Sequence, residues 1–103
     1  MASIRSTYES DPDMLEIVRE FASELPARIA KLEAHLAAGE LRELQTLAHQ
    51  LKGAGGGYGF PQITELAASL EAALKQGAAP PVVKDRAVAL CPRLRAVVVP
   101  EAR

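Results

Sequence analysis

The chain has 103 residues, 49% hydrophobic and 24% charged, with a net charge of −1. That length accommodates one modest core, and the balance excludes both a disordered segment and a strongly basic nucleic-acid binder. Aromatics make up only 4% and Trp is missing, so the core must come from Leu, Val, Ile and Ala, which suits closely packed helices.

The first helix is expected to begin at Asp11, a good N-cap. Pro12 fits the first helical position, and Asp13 and Glu16 complement the positive end of the helix dipole. Met14, Val18, Phe21, Leu25, Ile29, Leu32 and Leu36 then form one apolar stripe at alternating three- and four-residue spacing. Pro26 interrupts that run and should kink the helix, leaving the Ala22 carbonyl without its donor, and Gly39 is the natural stop. A second helix is expected from about Glu40 to about Gly57, with Leu41, Leu44, Leu47, Ala48 and Leu51 on one face.

Tyr58-Gly59-Phe60 reads as a loop and Pro61 as the start of a third helix, which buries Ile63, Leu66, Ala67, Leu70 and Leu74 and ends near Gly77. After Pro80-Pro81 a fourth helix carries Val83, Ala87, Leu90, Leu94 and Val97, and Pro92 should kink it or end it early. Residues 1–10 are expected to be a short extra helix or a frayed arm. Four amphipathic segments with short connections predict an all-α fold, an antiparallel up-down four-helix bundle, as one domain over 1–103.

Cys91 sits among Val88, Leu90 and Leu94 and reads as a small buried hydrophobe in a reducing compartment. The residues Lys84, Arg86, Arg93, Arg95 and Arg103 read as a solvated, mildly basic face. Met1 to Ser10 lacks the apolar core of a signal peptide, and no apolar run approaches the roughly 20 residues that span a bilayer. A cytoplasmic monomer with no membrane or nucleic-acid partner is expected.

On a wheel of roughly 100° per residue, His49 points away from the leucines of the second helix. It shares its face with Gln45, Lys52, Gly53 and Gly56. A glycine inside a helix is destabilising by about 0.5–1 kcal/mol relative to Ala, and the run Gly53-Ala54-Gly55-Gly56-Gly57 holds four. The return is bare surface beside His49, through which a protein or a phosphoryl group can approach the imidazole. Helix termination or close helix packing would account for Gly57 and Gly59 more simply than for Gly53. The run fits neither the Walker nor the dinucleotide-binding glycine pattern. Metal binding through His49 and His35 is disfavoured, because the two lie on different helices with no cluster of further ligands.

The segment Ala48-His49-Gln50-Leu51-Lys52-Gly53-Ala54-Gly55-Gly56-Gly57-Tyr58-Gly59 resembles the signature of histidine phosphotransfer (HPt) domains, roughly H-x-L-K-G-[AS]-x-x-x-x-G. Asp11 to Gly39 and Leu66 to Leu74 are similar to the flanking helices of that family. The resemblance implies a four-helix bundle whose exposed His49 carries phosphate between receiver domains of two-component phosphorelays. His49 then is the phospho-acceptor, Lys52 the cation assisting the phosphoryl group and Gly53 the clearance residue. Gln45 and Gly56 lie on the partner-facing surface. Glu71 corresponds to a Glu that, in the phosphotransfer domains of chemotaxis kinases, hydrogen-bonds the phospho-accepting His; its alternative is an ordinary surface Glu.

The mechanism expected is in-line transfer from a partner aspartyl phosphate to Nε2 of His49. Glu71 would hold Nδ1–H, and Mg²⁺ and most of the catalysis would belong to the receiver domain of a response regulator or hybrid histidine kinase. This chain would be a phosphocarrier without a nucleotide or metal site of its own, not an autonomous enzyme. The alternative is a non-phosphorylated helical adaptor that binds a signalling partner.

Overall fold

Asp11, in extended conformation, accepts a 2.9 Å hydrogen bond from the Asp13 N–H and so caps the first helix in the computed structural model, which describes residues 3–100. Helix α1 (Pro12–Ala38) runs unbroken through Pro26 and stops at Gly39, whose φ of 69° is accessible to glycine at little steric cost. Helices α2 (Leu41–Gly57), α3 (Pro61–Lys75) and α4 (Pro80–Arg95) follow. Connections of two to four residues force neighbours to run antiparallel. Helix α1 packs on α2 and α4, α3 packs on the same two, and the diagonal pairs do not meet.

The core lies between these four faces. Val18, Phe21, Leu25, Ile29 and Leu32 of α1 are buried, while Met14 and Leu36 at the ends of the expected stripe pack only partly. Leu44, Leu47, Ala48 and Leu51 of α2 meet Ile63, Ala67 and Leu70 of α3, and Val83, Ala87, Leu90, Cys91 and Leu94 of α4 close the ring. Burial pushes the Cys91 thiol pKa up, as expected of an unreactive core cysteine. Among the described residues no helix is long and apolar enough to cross a membrane.

Two expectations need correction. Helix α4 continues past Pro92 to Arg95, because a proline this near the C-terminus removes only one ladder bond while the Ala96 N–H still reaches the Pro92 carbonyl at 3.1 Å. Val97 therefore lies beyond the helix. The N-terminal segment is neither frayed nor helical where described (residues 1 and 2 of that expectation lie outside the described residues). Ile4 is buried and forms an isolated parallel bridge with Val97, through Ile4 N–H to Ala96 carbonyl at 2.8 Å and Val98 N–H to Ile4 carbonyl at 2.9 Å.

Tyr58-Gly59-Phe60 is, as expected, the connection between α2 and α3. This connection is part of the core, with Phe60 fully buried and Phe21 stacked on Tyr58 at a centroid distance of 4.9 Å and tilted against Phe60 at 5.8 Å. Three of the four aromatic residues thus seal one end of the bundle, where each buried ring contributes about 1.5–3 kcal/mol.

Candidate functional site

The site begins with a glycine. A Cβ on Gly55 would stand 2.6 Å from Thr64 Oγ1, 2.8 Å from the Thr64 backbone nitrogen and 3.1 Å from the Phe60 carbonyl oxygen. Only a bare backbone allows the N-terminal turn of α3 to approach α2 so closely, and Thr64 Oγ1–H then donates to the Lys52 carbonyl at 3.0 Å. This contact sets the axial register of two antiparallel helices. At about 1.5 Å per residue, His49 lies roughly 9 Å back along α2 from Gly55, and Glu71 lies roughly 10 Å forward along α3 from Thr64. The two side chains therefore face one another.

His49 stands clear of the core, its side chain 67% exposed, while Ala48 beside it is fully buried. Its Nδ1 lies 2.7 Å from Oε2 of Glu71, whose side chain is only 5% exposed. Lys52 reaches the other oxygen, with Nζ 2.6 Å from Oε1. Lys75, one turn beyond Glu71 on α3, brings its ammonium to 3.7 Å from Oε2.

The hydrogen bond from Lys52 holds the Glu71 carboxyl below the usual carboxylate range, against burial, which raises it; the His49 hydrogen bond and the charges of Lys52 and Lys75 act in the same direction as Lys52. At neutral pH Glu71 is therefore ionised and can only accept. The Nδ1–H of His49 must donate to it, leaving the Nε2 lone pair directed away from the carboxylate.

Each residue singled out in the sequence has a defined place. A Cβ on Gly53 would meet nothing within 4 Å, so the surface one turn from His49 is open. Gly56 is exposed but less open, since a Cβ there would touch Thr64 Oγ1 at 3.6 Å. Gln45 is half-buried and lines, with Leu41, Arg42, Thr46, His49, Glu71 and Lys75, a shallow depression on the α2–α3 face. Lys52 is engaged with Glu71 in this arrangement, and Glu71 is a buried carboxylate instead of a surface one. His35 belongs elsewhere: its Nδ1 lies 3.1 Å from Oε1 of Glu40 at the α1–α2 turn.

Sequence reasoning missed Gly55 and Lys75. Lys75 was visible only as the four-residue neighbour of Glu71, a spacing shared by many solvated pairs. Gly55 gave no signal apart from the glycines around it, because its neighbour Thr64 lies on another helix.

The model of the Hpt domain family matches residues 16–98, most of α1 and all of α2, α3 and α4. No curated protein and no solved structure matches the chain. The family comprises phosphocarriers of two-component signalling, helical bundles that work with receiver domains and are not themselves catalytic enzymes. With a match of that extent on a four-helix bundle, the chain belongs to the Hpt domain family.

Proposed function

We propose that this chain is a phosphorelay intermediate in which Nε2 of His49 accepts a phosphoryl group from the aspartyl phosphate of a receiver domain and passes it on. The observation that carries the reading is an exposed imidazole whose Nδ1 is held by a nearly buried, ionised carboxylate. An exposed surface histidine needs no such partner, and a core histidine would not present its second nitrogen to solvent.

The Nε2 lone pair attacks phosphorus in line, the P–N bond forms as the P–O bond to the aspartyl group breaks, and the aspartate leaves as a carboxylate. The ring keeps its Nδ1 proton and becomes a phospho-imidazolium cation. Glu71, already hydrogen-bonded to that proton, balances the positive charge as it develops. Lys52 then has two possible acceptors, Glu71 and the phosphoryl oxygens, and serves the second during transfer. Gly53 leaves the partner room to approach, and Gln45 and Gly56 lie where its surface would rest. The partner is the receiver domain of a response regulator or hybrid histidine kinase, which supplies Mg²⁺; the carrier acts as a cytoplasmic monomer.

The test is labelling by a panel of phosphorylated receiver domains. Wild type should acquire acid-labile phosphate from at least one of them, and His49→Gln should acquire none while keeping its helical circular dichroism. Labelling of His49→Gln would refute the site. A wild type that binds receivers without labelling would establish the adaptor reading instead.

A further inference from the structure

Lys75 is a second cation at the carboxylate that holds the imidazole, and its position differs from that of Lys52 in a way that matters for transfer. Lys52 hydrogen-bonds Oε1 of Glu71 at 2.6 Å, whereas the Lys75 ammonium stands 3.7 Å from Oε2, close enough for charge but beyond a good hydrogen bond. Its side chain is 57% exposed and lines the same depression as His49, so it has room to move. Arg42 on α2 also lines that depression.

Count the charges. With a neutral imidazole, Glu71 and its two lysines together carry a surplus of one positive charge. A phosphoryl group brings roughly −1.5 to −2. To meet it, Lys52 divides its donors and its charge between Oε1 and the phosphoryl oxygens, and a nearly buried carboxylate whose cation is drawn away is unfavourable. A single lysine cannot satisfy both acceptors fully.

We infer that Lys75 is a positioning residue of this site, which takes over the charge of Glu71 when Lys52 turns to the phosphoryl group and so keeps the carboxylate on His49 throughout transfer. The inference rests on the phosphocarrier reading above. An ordinary exposed lysine pair would contribute little; what distinguishes this one is that its partner is buried, shared with a second lysine, and bonded to the phospho-accepting ring.

The test uses phosphoramidate, a small phosphodonor that delivers its phosphoryl group to histidine as ammonia leaves, so that receiver docking plays no part. Labelling rates are measured for wild type, Lys75→Ala, Lys75→Gln and Lys75→Arg, each also in the Glu71→Gln background. Lys75→Ala and Lys75→Gln should be slower by about three- to tenfold with unchanged thermal midpoints, and Lys75→Arg should return to within about twofold of wild type. In the Glu71→Gln background, removing Lys75 should change the already lowered rate by less than about twofold, because the charge it compensates is gone. A Lys75→Gln protein that labels at the wild-type rate overturns the inference. So does an equal loss on removing Lys75 in both backgrounds, which would mean that Lys75 acts on the phosphoryl group directly. A wild-type chain that takes no label from phosphoramidate or from any receiver overturns the phosphocarrier reading, and this inference with it.

Discussion

Glu71 accepts from the ring of His49 and from Lys52 while Lys75 stands close by, and its lowered pKa makes two consequences measurable. With the carboxylate in place, the imidazole proton is held on Nδ1. Glu71→Ala releases it to exchange between the two nitrogens, so the ring ¹⁵N shifts should move from a fixed Nδ1–H pattern toward an averaged one. An unchanged pattern would show that something else fixes the tautomer. The second consequence is pH dependence. A carboxyl whose folded pKa lies below its ordinary value of 4.5 adds stability that is complete above that value and is lost as the pH falls through the lower, folded one. The stability gap between wild type and Glu71→Gln in urea unfolding should therefore be widest at pH 7 and narrow below about pH 4.5. A gap independent of pH would mean that the ionised form is not what Glu71 contributes.

Between helices, the glycines of α2 divide into two kinds that look alike in the sequence. Gly55 is a contact residue, since an added methyl would meet Thr64 of α3, at its hydroxyl and its backbone nitrogen, and the Phe60 carbonyl. Gly53 faces open space and keeps helical geometry. Gly55→Ala should destabilise the protein by about 1–3 kcal/mol, the usual range for overpacking, and should slow transfer as Glu71 shifts from His49. Gly53→Ala should instead stabilise it by roughly 0.5–1 kcal/mol, the helix-propensity difference. Equal effects at the two positions in thermal unfolding would refute the division. The bare surface beside His49 is thus supplied mainly by Gly53, while Gly55 aligns the helices on which the site is built.

The N-terminal arm ties the molecule together at the end sealed by the aromatic cluster. Ile4 is buried against the core, the Thr7 N–H reaches the Gly59 carbonyl at 2.9 Å, and Ser6 Oγ donates to the Tyr58 carbonyl at 2.6 Å. The arm therefore clamps the α2–α3 connection to the segment after α4. Ile4→Ala should reduce stability by about 2–4 kcal/mol, which in a domain of this size lowers the melting temperature by more than about 8 °C. Phosphotransfer per folded molecule should be unaffected, because the arm touches no group of the His49 site. A melting temperature within about 2 °C of wild type would show that the arm adds nothing to the fold.

What the amino-acid sequence determined by itself was whatever depends on residues three and four apart. The Asp11 cap, the Gly39 stop, the apolar stripes, the four-helix count and the outward direction of His49 all follow from one helix considered alone. The tertiary structure decided which side chains meet across helices. The meeting of Glu71 with His49 and Lys52, the approach of Thr64 to Gly55, and the pairing of Ile4 with Val97 each join residues from 9 to 93 positions apart. Periodicity cannot register such pairs, because it reports the face a residue occupies and not what lies opposite. Pro92 departed from expectation because local propensity marks a break there, whereas the helix, with Leu90, Cys91 and Leu94 buried in the core, continues to Arg95.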